Sequence, residues 1–562
     1  MPKATLSKAR LLSMLPATAS TAELDALLFA SKAEATWGAG DEISVEVTPD
    51  RLDLLSEGGL GLHLQGALGA AHGILRPPTA AIDPAPEIEV DRSVEGLRAE
   101  IGAVVVRAPT GGGVDAGLLA EAVRFQEALH ATVGFDRRFA SLGLYPFDRI
   151  AWPVRYAMEP IEKVSITPLD GTEALDGPRF LSTHPMGLRY GPLGTSRGGL
   201  LSLRDRDGAL LSLPPILNAR PTGEVRVGDR TILLESTGTR PSRVAEALGL
   251  LSVVFASRGW EVAPVAIRAR GSVEPGRSYV EPRSVELRAA TLDSVAGRAY
   301  PASEVAHLLS KARLSARAAP HGWSVEVPPW RPDLLQEVDL VEEVVLARGV
   351  RAEDGVVPPS PTRGARRAES HFHRRVGDLL LGSGFSELYT PVLVSEASVA
   401  RLNRVAALRV TNPVSDLFER LRDAIELSLI DALSHNLRAG YPQRFFELGP
   451  VVVADPKSES GARTSVRAGG VIAAEGAGFA DAASIVDYLT SAVAGAGVRE
   501  PAELPGTIPG RAARVRLAGE SVAELGEIHP AVLAEIHVPV PAAWFELDLS
   551  ALWPLVRRSG TN

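Results

Sequence analysis

The heptapeptide Pro49-Asp50-Arg51-Leu52-Asp53-Leu54-Leu55 returns 280 residues later as Pro329-Trp330-Arg331-Pro332-Asp333-Leu334-Leu335, with five of seven positions identical. This recurrence limits the possible folds more than any other feature, because it marks one supersecondary unit built twice. Each copy has a strand running into the motif and a helix leaving it. Ile43, Val45 and Val47 alternate as a strand before the first copy, and a small-residue helix is expected near 57–69 after it.

The copies differ downstream of the motif. The second continues as Gln336-Glu337-Val338-Asp339-Leu340-Val341-Glu342-Glu343-Val344, so Asp339, Glu342 and Glu343 stand at i, i+3 and i+4 on one helical surface. Asp333, one Pro-Asp step earlier, can fold back onto the same spot. Like charges placed so repel by roughly a few tenths of a kcal/mol per pair. A hard cation with oxygen ligands would relieve the repulsion, and without thiolate or imidazole ligands the choice falls on Mg or Ca rather than Zn. The same pattern also fits an acidic helix start favoured by the macrodipole, with every carboxylate solvated. The first copy lacks the later acid pair and is assigned no metal.

At 562 residues the chain exceeds one core and implies three to five domains. Its 53 Gly and 42 Pro favour many turns and several linkers. With no Cys, disulfides, thiolate metal sites and a cysteine nucleophile are excluded. A net charge of −9 argues against coating nucleic acid by charge alone, though not against a local basic face or a basic partner. No apolar run reaches the roughly eighteen residues of a membrane span. Lys3, Lys8 and Arg10 before Leu11-Leu12-Ser13-Met14-Leu15 imitate a signal peptide, but Pro16 breaks a core already too short, so a cytosolic N-terminus is expected.

Along the chain, Ser20 and Glu23 form a capping box for a helix with Leu24, Leu27 and Leu28 on its stripe. Pro77, Pro78, Pro84 and Pro86 mark a linker over 76–90. Strands and helices mix from 91 to 268, with the segments 210–218 and 231–239 prominent and a helix expected from Pro241 to Ser257. A Pro-rich, basic linker runs from Pro358 to Arg367, and the remainder opens on a helix and includes strands at 445–448 and 544–547. The expected architecture is α+β multidomain: an N-terminal α/β domain at 1–75, blocks at 91–268 and 280–352, and an antiparallel-sheet domain at 368–562.

Several motifs in this order carry a family likeness. They are the stretch from Glu46 to Ser56, Ser141-Leu142-Gly143-Leu144-Tyr145-Pro146-Phe147-Asp148-Arg149-Ile150, Ser212 to Thr239, Asp333 to Glu343, Asn412-Pro413-Val414-Ser415, Gln443 to Gly449, and Gly526-Glu527-Ile528-His529-Pro530. With them the chain resembles the phenylalanyl-tRNA synthetase β subunits of archaeal and eukaryotic type along essentially its whole length. The resemblance implies an (αβ)2 heterotetramer that joins phenylalanine to tRNA(Phe) with ATP in the cytoplasm. It implies that 91–268 is an editing domain, that 280–352 is the metal-bearing fifth domain, and that 368–562 is a catalytic-like domain. It further implies Mg2+ on Asp333, Asp339, Glu342 and Glu343, and an editing pocket at Leu203, Ser212, Glu235 and Thr237. Where this chain has Glu235 the family usually has Asp, so the carboxylate is displaced by one methylene.

Class II synthetases clamp ATP with a motif arginine and a Gly-rich strand ending in a second arginine. Here Phe445-Phe446-Glu447 stands where the arginine strand would be useful, and no Gly-x-Gly-x-Gly-x-x-Arg occurs near the C-terminus. The last block therefore reads as a fold relative without the reaction centre, with adenylation on the α subunit and no catalytic residue for aminoacylation on this chain. Editing has its own rationale. An apolar pocket rejects a ligand that merely adds a hydroxyl by only about 10²-fold, whereas a site built to bond that hydroxyl rejects the analogue lacking it by about 10⁴ to 10⁵. A buried polar group opposite the ring is needed, and Glu235 with Ser212 and Thr237 supplies the atoms. The competing reading of these three is two ordinary strand hydroxyls and a solvated edge charge.

Other signals carry less. Gly111-Gly112-Gly113 lacks the strand–Gly-x-Gly-x-x-Gly–helix context of a dinucleotide site and reads as a loop. His371 and His373 lack a third ligand and read as structural. Arg363, Arg366, Arg367, Arg374 and Arg375 form a basic run of linker type that could also meet phosphate. The alternative function is a stand-alone tRNA-binding or scaffold paralogue without editing, and a weaker one is a free trans-editing hydrolase.

Overall fold

The computed structural model describes all residues except 18, 80–81, 270, 275–278, 280, 350–359, 361, 405–407 and 560–562. Pro358, Pro359 and Pro361 of the expected second linker, and the ends of the 280–352 block, lie outside the described residues. The chain forms two compact units, 1–356 and 357–562. Both mix helices and largely antiparallel sheets, as an α+β reading requires.

The first unit opens with a three-stranded antiparallel sheet whose central strand, Glu42–Val47, pairs with Lys3–Ser7 and Ala33–Trp37. Ile43, Val45 and Val47 are fully buried, as their alternation predicts. The strand leads through the first Arg-x-Asp motif into the helix Glu57–Ala67. The second copy repeats the plan: strand Gly322–Val327, the motif, then helix Glu337–Arg348. The two copies pack against one another. A Cβ on Gly66 would lie 2.1 Å from the Lys311 carbonyl oxygen, so the glycine is what lets that helix approach the second copy's domain.

Between the copies lie two sheets face to face. One has four antiparallel strands in the order Glu261–Pro264, Glu100–Arg107, Thr231–Gly238, Ala140–Pro146. The other includes Leu210–Leu213, Gly199–Arg204, Val154–Pro160 and Glu87–Val90. Helices Ala116–Ala131 and Pro241–Ala256 cover the outer side of the first sheet. Val104, Val106, Leu142, Leu144, Ile232 and Leu234 face those helices, while Ala103, Val105, Tyr145 and Leu233 face the second sheet. Every residue of Thr231–Gly238 is buried, because the strand is covered on both faces.

The second unit is built on a seven-stranded sheet in the order Ser386–Glu387, Gln443–Ala454, Ala462–Ala473, Ala542–Asp548, Glu520–Ile528, Thr507–Leu517, Val498–Pro501. All neighbours are antiparallel except Ser386–Glu387, which runs parallel to Gln443–Ala454. Helix Ile425–His435 packs on one face of the sheet, and helices Ala368–Gly382, Phe479–Val493 and Leu549–Ser559 close the other core. No helix among the described residues is long and apolar enough to cross a membrane.

Candidate functional site

A cavity of about 340 Å³ opens along the free edge of strand Ala140–Pro146, between helix Ala116–Ala131 and the Leu213–Asn218 segment. It is of ligand-pocket size. An exposed strand edge leaves backbone groups to satisfy, and side chains do so here. Gln126 Nε2 donates to Leu142 O at 2.7 Å, Leu142 N–H donates to His130 Nε2 at 2.8 Å, and Asn218 Nδ2 donates to Leu144 O at 2.9 Å. His130 Nδ1 lies 3.1 Å from Glu127 Oε1, so both ring nitrogens are engaged. Burial lowers the imidazole's pKa, and the ring is neutral, structural and unsuited to act as a free base.

Two predicted residues, Ser212 and Glu235, line this cavity, and a third residue joins them. The Tyr145 hydroxyl stands 2.8 Å from Ser212 Oγ and 3.0 Å from Glu235 Oε2. A phenol has one proton, so against an ionised carboxylate Tyr145 donates to Glu235 and accepts from the Ser212 hydroxyl. Glu235 is only 3 % exposed, and its Oε1 has no hydrogen-bond partner among the described residues. Burial drives its pKa up to about 7, opposed by the Tyr145 hydroxyl, by the Arg98 guanidinium and, to a smaller degree, by Thr237. Glu235 is thus no solvated edge charge.

Leu203 and Thr237 play other parts. Leu203 pairs with Ser212 across neighbouring strands and packs into the inter-sheet core. Thr237 accepts from Arg98 Nε at 3.0 Å and lies 3.1 Å from Ser141 Oγ. Arg98 also donates to Thr237 O, Ser141 Oγ and Arg137 O. Though buried, with its pKa lowered to about 10 by desolvation, Arg98 stays charged, and its charge favours the ionised form of Glu235. Sequence alone assigned neither Tyr145 nor Arg98 to the pocket. The available signal for Tyr145 was its two-residue spacing from Gly143 in a strand whose other polar side chain is Ser141.

The four acids that the resemblance implies as Mg2+ ligands are each engaged by donors of the protein and do not converge on one point. Arg331 engages two of them. It makes a fork with Asp333 at 2.9 and 2.7 Å and reaches Glu343 Oε1 at 2.6 Å, and all three side chains are buried. Asp339 Oδ2 accepts the backbone N–H groups of Leu335 and Gln336 at 2.7 and 2.8 Å, capping its own helix. Glu342, half-exposed, meets Lys32 Nζ at 2.7 Å, and the same ammonium holds Asp50. Among the described residues no three His, Asp or Glu side chains gather to hold a metal ion. The physical reason is that guanidinium, ammonium and amide donors already supply the positive charge the pattern demanded. The first copy is built alike, with Arg51 forked onto Asp53 at 3.0 and 2.9 Å. His63 Nε2 lies 2.6 Å from Ser31 Oγ, and burial beside Arg51 drives its pKa down to about 3.

In the second unit the arginines near the sheet are likewise spent on carboxylates. Arg422 is buried and donates to Glu447, Thr390, Ser428 and the Pro450 carbonyl at 2.8 to 3.1 Å. Arg404 pairs with Glu426 at 2.6 Å and Asp423 at 3.7 Å, and Arg467 pairs with Glu546. Glu546 also accepts the Ile425 N–H at 2.6 Å, at the start of the Ile425–His435 helix. Burial lifts the Glu426 carboxyl to about 7 against the pull of Arg404.

Known proteins bear on these features. Residues 355–549 match the family described as the phenylalanyl tRNA synthetase beta chain CLM domain, and 285–350 match the tRNA synthetase B5 domain. The phenylalanine–tRNA ligase beta subunit of Thermofilum pendens is 30 % identical over 93 % of this chain and 92 % of its own length. That of Methanothrix thermoacetophila is 31 % identical over 91 % of this chain and 93 % of its own length. An N-terminal fragment of the Pyrococcus horikoshii phenylalanyl-tRNA synthetase beta subunit superposes with a TM-score of 0.57 at 23 % identity, covering 62 % of this chain and all of the fragment. The chain therefore belongs to the phenylalanine–tRNA ligase beta subunit family.

Proposed function

We propose that the chain is the β subunit of a cytoplasmic phenylalanine–tRNA ligase, working with an α subunit as an (αβ)2 complex on tRNA(Phe). On this reading the α subunit makes phenylalanyl adenylate and Phe-tRNA(Phe), while this chain braces it and hydrolyses Tyr-tRNA(Phe). Family membership supports the partnership. The neutralised Arg422, Arg404 and Arg467 support the assignment of adenylation to the partner, because each of these cations is already matched by a carboxylate.

The observation that carries the editing role is Glu235: a buried carboxyl at a ligand-sized cavity with one oxygen unsatisfied among the described residues. Leaving such an acceptor without a donor costs about 1–3 kcal/mol or more, and a phenolic hydroxyl would relieve it. A phenylalanine ring would not, which is the asymmetry that editing needs. The test is misacylation by the reconstituted complex given tyrosine, ATP and tRNA(Phe). Tyr-tRNA(Phe) should accumulate with Glu235→Ala and not with the wild type. Equal accumulation would leave Glu235 without an editing role. Failure of the chain to co-purify with an α subunit would turn the assignment to a stand-alone paralogue.

A further inference from the structure

We propose that Tyr145 is a positioning residue for this cavity: it holds Ser212 and one oxygen of Glu235, so that only the other oxygen meets the hydroxyl of a bound aromatic aminoacyl ester. This rests on the editing role assigned above. Register places Gly143 beside Glu235 and Tyr145 beside Leu233, so all four face the second sheet. The Tyr145 ring folds back over Gly143, and a Cβ there would lie 2.4 Å from its hydroxyl oxygen. Glycine is thus required at 143 for the phenol to reach Glu235. The ring is buried, and burial next to the carboxylate drives the phenol's pKa up, so it remains a proton donor.

The consequence is geometric. A carboxylate with both oxygens free would accept a hydroxyl from either side and turn about its last bond. Tyr145 removes that freedom by engaging Oε2, and Ser212 fixes Tyr145 in turn. What remains is a single acceptor, Oε1, with no partner among the described residues. It suits a para-hydroxyl on a ring that enters past the strand edge. The side chain carries one methylene more than aspartate, and Tyr145 pins it, which is how a longer carboxylate can retain a defined direction.

The experiment compares deacylation of Tyr-tRNA(Phe) and Phe-tRNA(Phe) by the complex with wild type, Tyr145→Phe and Gly143→Ala. Tyr145→Phe deletes the hydroxyl and keeps the ring, whereas Gly143→Ala keeps the hydroxyl and displaces it. Both should lower the kcat/KM ratio for Tyr- over Phe-tRNA(Phe) by about tenfold or more, the scale of one hydrogen bond to a charged group. The acid limb of the Tyr145→Phe profile should also move to higher pH. The groups facing Glu235 that bear on that limb are Tyr145, Ser212, Thr237, Arg98 and Tyr156, and only the first is altered. An unchanged ratio and pH profile in Tyr145→Phe would overturn the positioning role while leaving editing intact. A wild type that fails to prefer Tyr-tRNA(Phe) would overturn the editing reading and this inference with it.

Discussion

Arg331 Nη2 lies 2.6 Å from Glu343 Oε1, in a buried contact that joins the second Arg-x-Asp motif to the helix after it. The same guanidinium holds Asp333, so one cation satisfies two carboxylates that the family resemblance would hand to a metal. Removing one partner of a buried pair leaves an uncompensated charge, at a cost of about 3–5 kcal/mol. Arg331→Met is therefore expected to destabilise by about that amount in chemical denaturation. Chelation with EDTA should leave the melting temperature of the wild-type chain unchanged. A fall restored by Mg2+ would return the metal to this site.

Acid should release the same contact. Arg331 and Arg51 hold the Glu343 carboxyl at about 2 against the burial that would raise it from an ordinary value of 4.5. A depressed carboxylate pKa means the unfolded chain binds the proton more readily. The stabilisation is complete above the unfolded pKa and is lost as pH falls from about 4.5 toward 2. Its size is about 3 kcal/mol. Denaturant midpoints measured from pH 6 to 3 should fall more steeply in the wild type than in a Glu343→Gln, Arg331→Met double variant, which lacks the titration.

The close approach at Gly66 gives a further stability test. A methyl there meets the Lys311 carbonyl, which is backbone and yields only if the helix shifts. Overpacking of this kind costs about 1–3 kcal/mol. Gly66→Ala should lower stability by that amount although alanine favours helix. A neutral or stabilised variant would show that the first copy's helix is not docked this closely on the Ala302–Lys311 helix.

Adenylation gives a test of activity. Purified alone, the chain should give no phenylalanine-dependent pyrophosphate exchange, and the activity should appear on adding an α subunit. Exchange by the isolated chain would place a reaction centre among its own arginines.

The legible parts of the chain were those set by local pattern. Alternation exposed the strand Glu42–Val47, and the repeated motif exposed both strand-to-helix turns, because those signals need only a few neighbouring residues. The Ser20 cap on Glu23 N–H is of the same kind. Thr231–Gly238 stood out as a segment, but its burial did not, since a strand covered on both faces shows no alternation and, by local pattern alone, its glutamate reads like an edge charge. The acids at 339–343 posed the opposite difficulty. Their spacing was visible, but Lys32 lies 310 residues from Glu342, so no local pattern could reveal that partner. Tyr145 reaches Glu235 across 90 residues, which hid the link that orders the cavity.

Glu235 as a phenol-sensing acceptor in a hydrolytic cavity is the claim on which the functional assignment turns. Its most direct measurement is the single-turnover deacylation rate of Tyr-tRNA(Phe) by the αβ complex, wild type against Glu235→Ala, with Phe-tRNA(Phe) beside it. The wild type should clear Tyr-tRNA(Phe) far faster than Phe-tRNA(Phe), and the substitution should remove about 10²-fold or more of that preference. Equal rates for the two proteins on Tyr-tRNA(Phe) would contradict it.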